Sequence, residues 1–282
     1  MRKIIDSHVH FWNPSYLRYE WLDNLPEINK TFLPSDLRKS SMGWDMEKLV
    51  FVQADCMPED GLREVAWVTG LAQVEPRIQG IVAFAPLEQG EGISGYLEKV
   101  KTYPLVKGVR RLIQSEEPGF AIRRKFVQGV QQLARYDLSF DICITHLQME
   151  DAVRLVEQCP DVVFVLDHFG KPVIKDQVIE PWATQLRALA EFPHVCCKIS
   201  GLVTEADHHH WQEADLRPYV EVALEAFGPG RLMFGGDWPV SELAVGYQHW
   251  LETAESILST LPELEKNKIF FENAQRFYGL DG

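Results

Sequence analysis

No apolar run in the 282 residues reaches the ~18 needed to cross a membrane. The opening, MRKIIDSHVHFW, is too short and too polar for a secretion signal. Basic residues are in short supply: 28 Lys and Arg stand against 41 Asp and Glu, a formal net charge of −13. So acidic a chain repels a phosphate backbone, which argues against nucleic acid as a partner. It attracts no anion by itself either, so recognition of a hydroxylated or mildly anionic ligand has to come from local Arg or Lys. Cysteine is sparse and odd in number. Cys56, Cys143, Cys159, Cys196 and Cys197 form no CxxC pair and read as reduced, mostly buried thiols, which suits the cytoplasm. No linker, low-complexity segment or sequence repeat interrupts the chain.

What is present is a rhythm. Hydrophobic residues make up 46 % of the chain. Eight β-like runs stand out: Ile4–Trp12, Lys48–Asp55, Ile78–Leu87, Val106–Leu112, Ser139–Thr145, Val162–Gly170, Val195–Gly201 and Arg231–Pro239. Several are continuously apolar (KLVFVQAD, GIVAFAPL, VVFVLDH), as strands buried on both faces are. Helical patterns separate them, at Asp60–Gln73, Ala121–Arg135, Gln148–Gln158 and Leu216–Phe227, the last stopping at Gly228-Pro229. Eight βα units in a chain of this length predict an α/β fold, a single (β/α)8 TIM barrel domain over residues 1–282. The longest gap, residues 13–47, is then the first βα loop, on the catalytic face. Its aromatics, Tyr16, Tyr19, Trp21, Phe32 and Trp44, with Trp12 before it, are set either to wall a ring-shaped ligand or to pack the loop onto the barrel.

His8 and His10 lie two apart on the first run, so alternation puts both on one face, together with Ile4 and Asp6. Ile5, Val9 and Phe11 would face the helices. Asp6 would lie deeper in the barrel than the two imidazoles. Further polar groups fall at the ends of other runs: His146 after FDICIT, His168 after VVFVLD and Asp237 after RLMFGG. Each is costly to bury without a partner. Together they mark the strand ends where such barrels do their chemistry.

Here the chain resembles the amidohydrolase superfamily, and within it the amidohydrolase 2 family and its sugar-lactonase branch. The segments that carry the likeness are IDSHVHFW, GVRRLIQ, LDHFGKP, KISGLVTEAD, MFGGDWPV and ENAQRFYGL, in that order over nearly the whole chain. The resemblance implies a hydrolase that opens a sugar-derived lactone, with Asp237, His168, His8 and His10 as catalytic residues. It implies at most one divalent metal, zinc first, drawn from His8, His10, His146, His168 and Asp237. A metal-independent route is equally open. A bridging Lys would sit at the mouth end of the fourth strand. Here that end carries Arg110 and Arg111, with Lys107 near the start, so a two-metal site is not expected. Relatives read GSDWP where this chain reads GGDWP; Gly236 is expected to alter packing rather than chemistry.

In a lactone hydrolase Asp237 would take the proton of the attacking water. The imidazoles would face the carbonyl oxygen, directly or through the metal. Arg110, Lys171, Trp238 and Gln53 are the substrate contacts expected. Of the two adjacent arginines only one can point inward, and Arg110 matches the family's GVR. Arg111 then belongs to a surface ion pair. Trp238 would stack on a sugar ring or seal the rim. The run His208, His209 and His210 cannot converge on one ion and reads as a substrate-side loop, while His194 and His249 read as structural. The partner expected is a small-molecule substrate, and a homodimer is compatible. Two other readings stay open. One is a metal-dependent decarboxylase or hydrolase acting on an aromatic or dienoic acid; the other is a catalytically dead barrel serving as a binding module.

Overall fold

A computed structural model describes residues 2–280. Eight strands, all parallel and hydrogen-bonded in chain order, form one sheet: β1 (Lys3–Val9), β2 (Asp45–Val52), β3 (Ile78–Phe84), β4 (Val106–Arg110), β5 (Ser139–Ile142), β6 (Phe164–Leu166), β7 (Val195–Ile199) and β8 (Leu232–Phe234). The sheet curls until its ends meet. Val9 pairs with Trp238, the His10 N–H donates to the Trp238 carbonyl at 2.7 Å, and the Asp237 N–H donates to the His8 carbonyl at 2.8 Å. Helices fill the connections: α1 (Pro34–Ser40), α2 (Gly61–Ala72), α3 (Ser94–Lys101), α4 (Arg124–Gln132), α5 (Met149–Gln158), α6 (Trp182–Ala190), α7 (Glu213–Phe227) and α8 (Tyr247–Ile257). This is the expected (β/α)8 barrel. Among the described residues no helix is long and apolar enough to cross a membrane, and all five cysteines are free.

The strands are apolar on both faces because both faces are covered. Leu49, Phe51, Ile81, Phe140 and Leu166 pack in the outer layer against the helices. Ile5, Val50, Val52, Val82, Val165 and Met233 fill the lower interior, closed from below by Ala274, Tyr278 and Leu280 of the C-terminal segment. Each such side chain contributes ~1.5–3 kcal/mol when fully buried. Above that layer the interior turns polar, and the buried charges there have to be paired to be tolerated.

The structure corrects the alternation expected on β1. Ile5 joins the interior cluster and Ile4 the outer one. Pairing with β2 slips between Asp6 and Val9, a bulge that shifts the inward phase by one residue before His8. Asp6 therefore leaves the face of the two imidazoles and reaches α8. Its carboxylate accepts the backbone N–H groups of His8 (2.9 Å) and Gly236 (2.8 Å) and the Tyr247 hydroxyl (2.7 Å). A Cβ at position 236 would collide with that carboxylate and with the Tyr247 ring, so Gly236 is a packing requirement.

Several runs end earlier as strands than their apolar pattern suggests. β1 stops at Val9, β6 spans three residues and so does β8. The reason lies at the mouth. His168, Phe169, Lys171 and Asp237 have φ of 52°, 53°, 53° and 51°, left-handed values that cannot continue a ladder. The first βα loop carries α1 and a 3-10 turn at Glu20–Asn24. It is tied down by the Trp12 indole on the Ile28 carbonyl (3.2 Å) and the Trp21 indole on the Ala54 carbonyl (2.8 Å).

Candidate active site

Three imidazoles from two strand ends surround one carboxylate at the barrel mouth. Asp237 Oδ1 lies 3.4 Å from His10 Nε2, 3.7 Å from His8 Nε2 and 3.8 Å from His168 Nε2. His8 Nε2 and His10 Nε2 are 3.2 Å apart. All four side chains are at most 5 % exposed. The turn after β7 makes room for them: a Cβ on Gly201, which has φ 61°, would sit 2.5 Å from His168 Nδ1 and 3.1 Å from Asp237 Oδ2.

The far side of each ring is also engaged. His10 Nδ1 lies 2.7 Å from the Val52 carbonyl. A carbonyl only accepts, so the His10 proton sits on Nδ1 and its Nε2 presents a lone pair toward Asp237. His168 Nδ1 meets the Ser200 hydroxyl at 2.8 Å. His8 Nδ1 lies between the Asp167 carboxylate (3.3 Å) and the Lys198 ammonium (3.2 Å).

Burial pushes His168 down to about 4 and His10 below its ordinary value, against the opposing pull of Asp237 on both. Burial likewise lowers His8 well below 6.5, although Asp167 opposes it. Burial alone would raise the Asp237 carboxyl, but His168, His10 and His8 outweigh it and hold it well below the usual carboxylate range. At neutral pH the cluster is thus one carboxylate among neutral rings, the protonation state a divalent cation requires. The ligand atoms of His8, His168 and Asp237 all lie within 4.8 Å of one another, so these residues fit a single ion.

Beneath the imidazoles lies a buried charge network. Lys198 donates to Asp141 (2.5 Å) and forms an ion pair with Asp167 (3.0 Å), and Tyr278 donates to Asp141 (2.9 Å). Arg110 reaches Asp167 (3.1 Å), the Gln53 carbonyl (2.6 Å) and His8 Nε2 (3.3 Å). Above opens a cavity of about 270 Å³ whose wall includes Trp21, Leu25, Asp55, Arg110, Lys171 and Thr204. Its volume suits one small molecule.

The expected substrate contacts divide. Arg110 and Lys171 line the cavity. Arg111 points outward, to Glu88 and Glu116. Trp238 is wholly buried away from the cavity, edge-on to Phe11 and Phe32, with its indole on Glu242 (2.6 Å). Consecutive residues diverge, so with Asp237 facing the site Trp238 seals the rim. Gln53 turns its side-chain oxygen to the Asp55 N–H (2.6 Å) and serves Arg110 through its carbonyl. His146 stands apart from the metal-type cluster, with Nδ1 3.3 Å from the Lys171 carbonyl. His208 turns to the Thr204 carbonyl (3.0 Å) and His210 to Asp207 (3.2 Å). His194 packs among Phe164 and Phe192, and His249 against Trp211. From the first loop, Trp12 and Phe32 pack on each other while Trp21 walls the cavity.

Sequence reasoning missed Asp141, Asp167, Lys198 and Asp55. The first three had a visible signal, a lone charge inside an apolar strand run (SFDIC, VLDH, CCKIS). Such a charge survives burial only with a partner.

The amidohydrolase family model matches residues 5–280. An L-fucono-1,5-lactonase of Burkholderia multivorans is 33 % identical over 289 residues, covering 98 % of this chain and 96 % of its own length. An L-fucono-1,5-lactonase of Burkholderia ambifaria is 28 % identical over 283 residues, with 98 % and 96 % covered. Among solved structures, an amidohydrolase of Burkholderia multivorans with bound zinc superimposes with a TM-score of 0.89 at 31 % identity, covering 99 % of both chains. With its mouthful of imidazoles around Asp237, this chain belongs to the amidohydrolase family.

Proposed function

We propose that the protein is a lactonase that opens a sugar-derived lactone, an aldonolactone such as fuconolactone or rhamnonolactone. The observation that carries this is an ionised carboxylate, Asp237, set 3.4–3.8 Å from three imidazole Nε2 atoms at the floor of the cavity. The full-length likeness to lactonases supports it and leaves the decarboxylase alternative the weaker one.

Hydrolysis joins a water oxygen to the lactone carbonyl carbon and breaks the bond from that carbon to the ring oxygen. Asp237 takes the proton that the water loses. The Arg110 guanidinium and the Lys171 ammonium stand along the wall as donors for the substrate's oxygens, and the leaving alkoxide takes up the proton that Asp237 removed from the water. His8, His168 and Asp237, with His10 beside them, would hold one divalent ion, zinc by analogy, which supplies a Lewis acid and a more acidic water. His10 fits that role because its neutral Nε2, having no proton, accepts rather than donates. Trp21 and Leu25 of the first loop cover the cavity and limit entry of bulk water.

A panel of aldonolactones in a pH-indicator assay tests the proposal. Acid release with at least one of them is expected. Release with none, alongside decarboxylation of an aromatic acid, would sink it.

A further inference from the structure

One acid in the cavity wall has no part in the steps above. Asp55 follows β2 and lines the cavity. Its backbone is left-handed, φ 58°, a conformation that Asp adopts more readily than most L-residues and that its surroundings can fix. Here they do. The Asp55 N–H donates to the Gln53 side-chain oxygen (2.6 Å), and Arg110 donates to the Gln53 carbonyl (2.6 Å). The Ala54 N–H donates to the buried Glu64 (3.1 Å), and the Ala54 carbonyl accepts from Trp21 (2.8 Å). The strand exit is thus locked from both sides.

The Asp55 carboxylate itself has no such engagement. Among the described residues no donor or cation comes within hydrogen-bond or ion-pair distance of it. Two other charges of the wall are paired, Arg110 with Asp167 at 3.1 Å and Lys171 with Glu205 at 3.8 Å, and Asp237 is enclosed by its three imidazoles. What remains on the cavity wall is a carboxylate that feels Arg110 and Arg111 only at longer range and keeps both acceptor oxygens open. Such a group takes charge-assisted hydrogen bonds from hydroxyls and repels another carboxylate.

We propose that Asp55 is a specificity-determining residue, whose carboxylate accepts hydroxyl groups of a neutral polyhydroxylated lactone and disfavours lactones that carry a carboxylate. This rests on the lactonase reading.

The test compares three probes: an aldono-1,5-lactone, unsubstituted δ-valerolactone, and the lactone of an aldaric acid. Wild type should prefer the first. Asp55→Asn tolerates the left-handed backbone, and its preference for the aldonolactone over δ-valerolactone, as a ratio of kcat/KM, should fall about tenfold to a hundredfold. The loss should lie mainly in KM, and discrimination against the aldaric lactone should relax. Asp55→Gly relieves the backbone while removing the carboxylate, so it should show the same loss. A preference ratio unchanged in both variants overturns this inference alone. So does a wild type that opens δ-valerolactone as readily as the aldonolactone. Hydrolysis of none of the three by wild type overturns the lactonase reading, and this inference with it.

Discussion

The Lys198 ammonium and the Asp141 carboxylate lie 2.5 Å apart across the barrel interior, on β7 and β5, with both side chains fully buried. Burial would lower the lysine, but Asp141 and Asp167 outweigh it and keep it charged. Among the described residues, removing that charge leaves Asp141 in a dry interior with only the Tyr278 hydroxyl and Asp167 with Arg110 as its remaining cation. Lys198→Met should therefore destabilise the protein by about 3–5 kcal/mol, and adding Asp141→Asn should restore part of the loss. Urea unfolding of the wild type and the two variants checks this. A single-variant loss below ~1 kcal/mol would show that the network is not holding the barrel floor.

The neighbouring arginines separate binding from surface charge. Arg110→Met removes a buried donor that lines the cavity and braces the Gln53 carbonyl. It should lower kcat/KM by the equivalent of about 1–3 kcal/mol. Arg111→Met loses only peripheral pairs with Glu88 and Glu116, typically worth ~0–1 kcal/mol of stability, and should turn over near the wild-type rate. Steady-state kinetics on the pair decide it; a larger loss at Arg111 would reverse the assignment.

Much of this was legible in the sequence, for physical reasons that can be named. His8, His10, His168 and Asp237 stood out because each is an expensive group beside an apolar strand run, and a barrel brings strand ends together. The inward phase of β1 was not legible. Alternation predicts a face only while the ladder is regular, and the slip between Asp6 and Val9 moved Asp6 to α8 and Ile5 into the core. Asp167 was overshadowed by His168, although the turn that aims the imidazole leaves the preceding residue pointing into the barrel. Asp141 and Lys198 needed the register of β5 through β7 before they could be recognised as partners. His146 misled because it follows an apolar run, yet it lies beyond the end of β5 at Ile142, in the turn that opens α5.

Zinc affinity should be unusually insensitive to acid. Protons compete with a metal for imidazole lone pairs, and competition begins only as the pH falls toward the folded pKa of each ring. Burial has brought His168 down to about 4 and has lowered His8 and His10 as well. Binding measured by chelator competition should stay nearly flat from about pH 8 to about pH 6 and weaken only below that. An affinity that drops steeply from about 6.5 downward, the ordinary imidazole value, would mean that the rings are not shielded.

Asp237 is the residue on which the chemistry turns. Its carboxylate lies within 3.8 Å of all three Nε2 atoms, and its own backbone is pinned by the His8 carbonyl on one side and the Ser241 N–H (2.9 Å) on the other. Asn accepts the same left-handed backbone and the same volume, so Asp237→Asn keeps the shape and removes the base. Turnover should fall by about 10²–10⁴-fold, with the thermal midpoint little changed. A purely structural role predicts the reverse, because a residue that only ties the rim together would, when altered, lower the midpoint and spare kcat. The pH profile adds a second discriminant. With the carboxylate held well below its usual range by the imidazoles, it remains ionised throughout mildly acidic solution. Loss of wild-type activity near the ordinary carboxylate pKa of about 4 should therefore not track Asp237 protonation, and any residual activity of the Asn variant should show the same acid limb. Measuring kcat, the midpoint and the pH profile on one preparation of each protein resolves the two roles. A variant that melts early but turns over normally would remove Asp237 from the reaction.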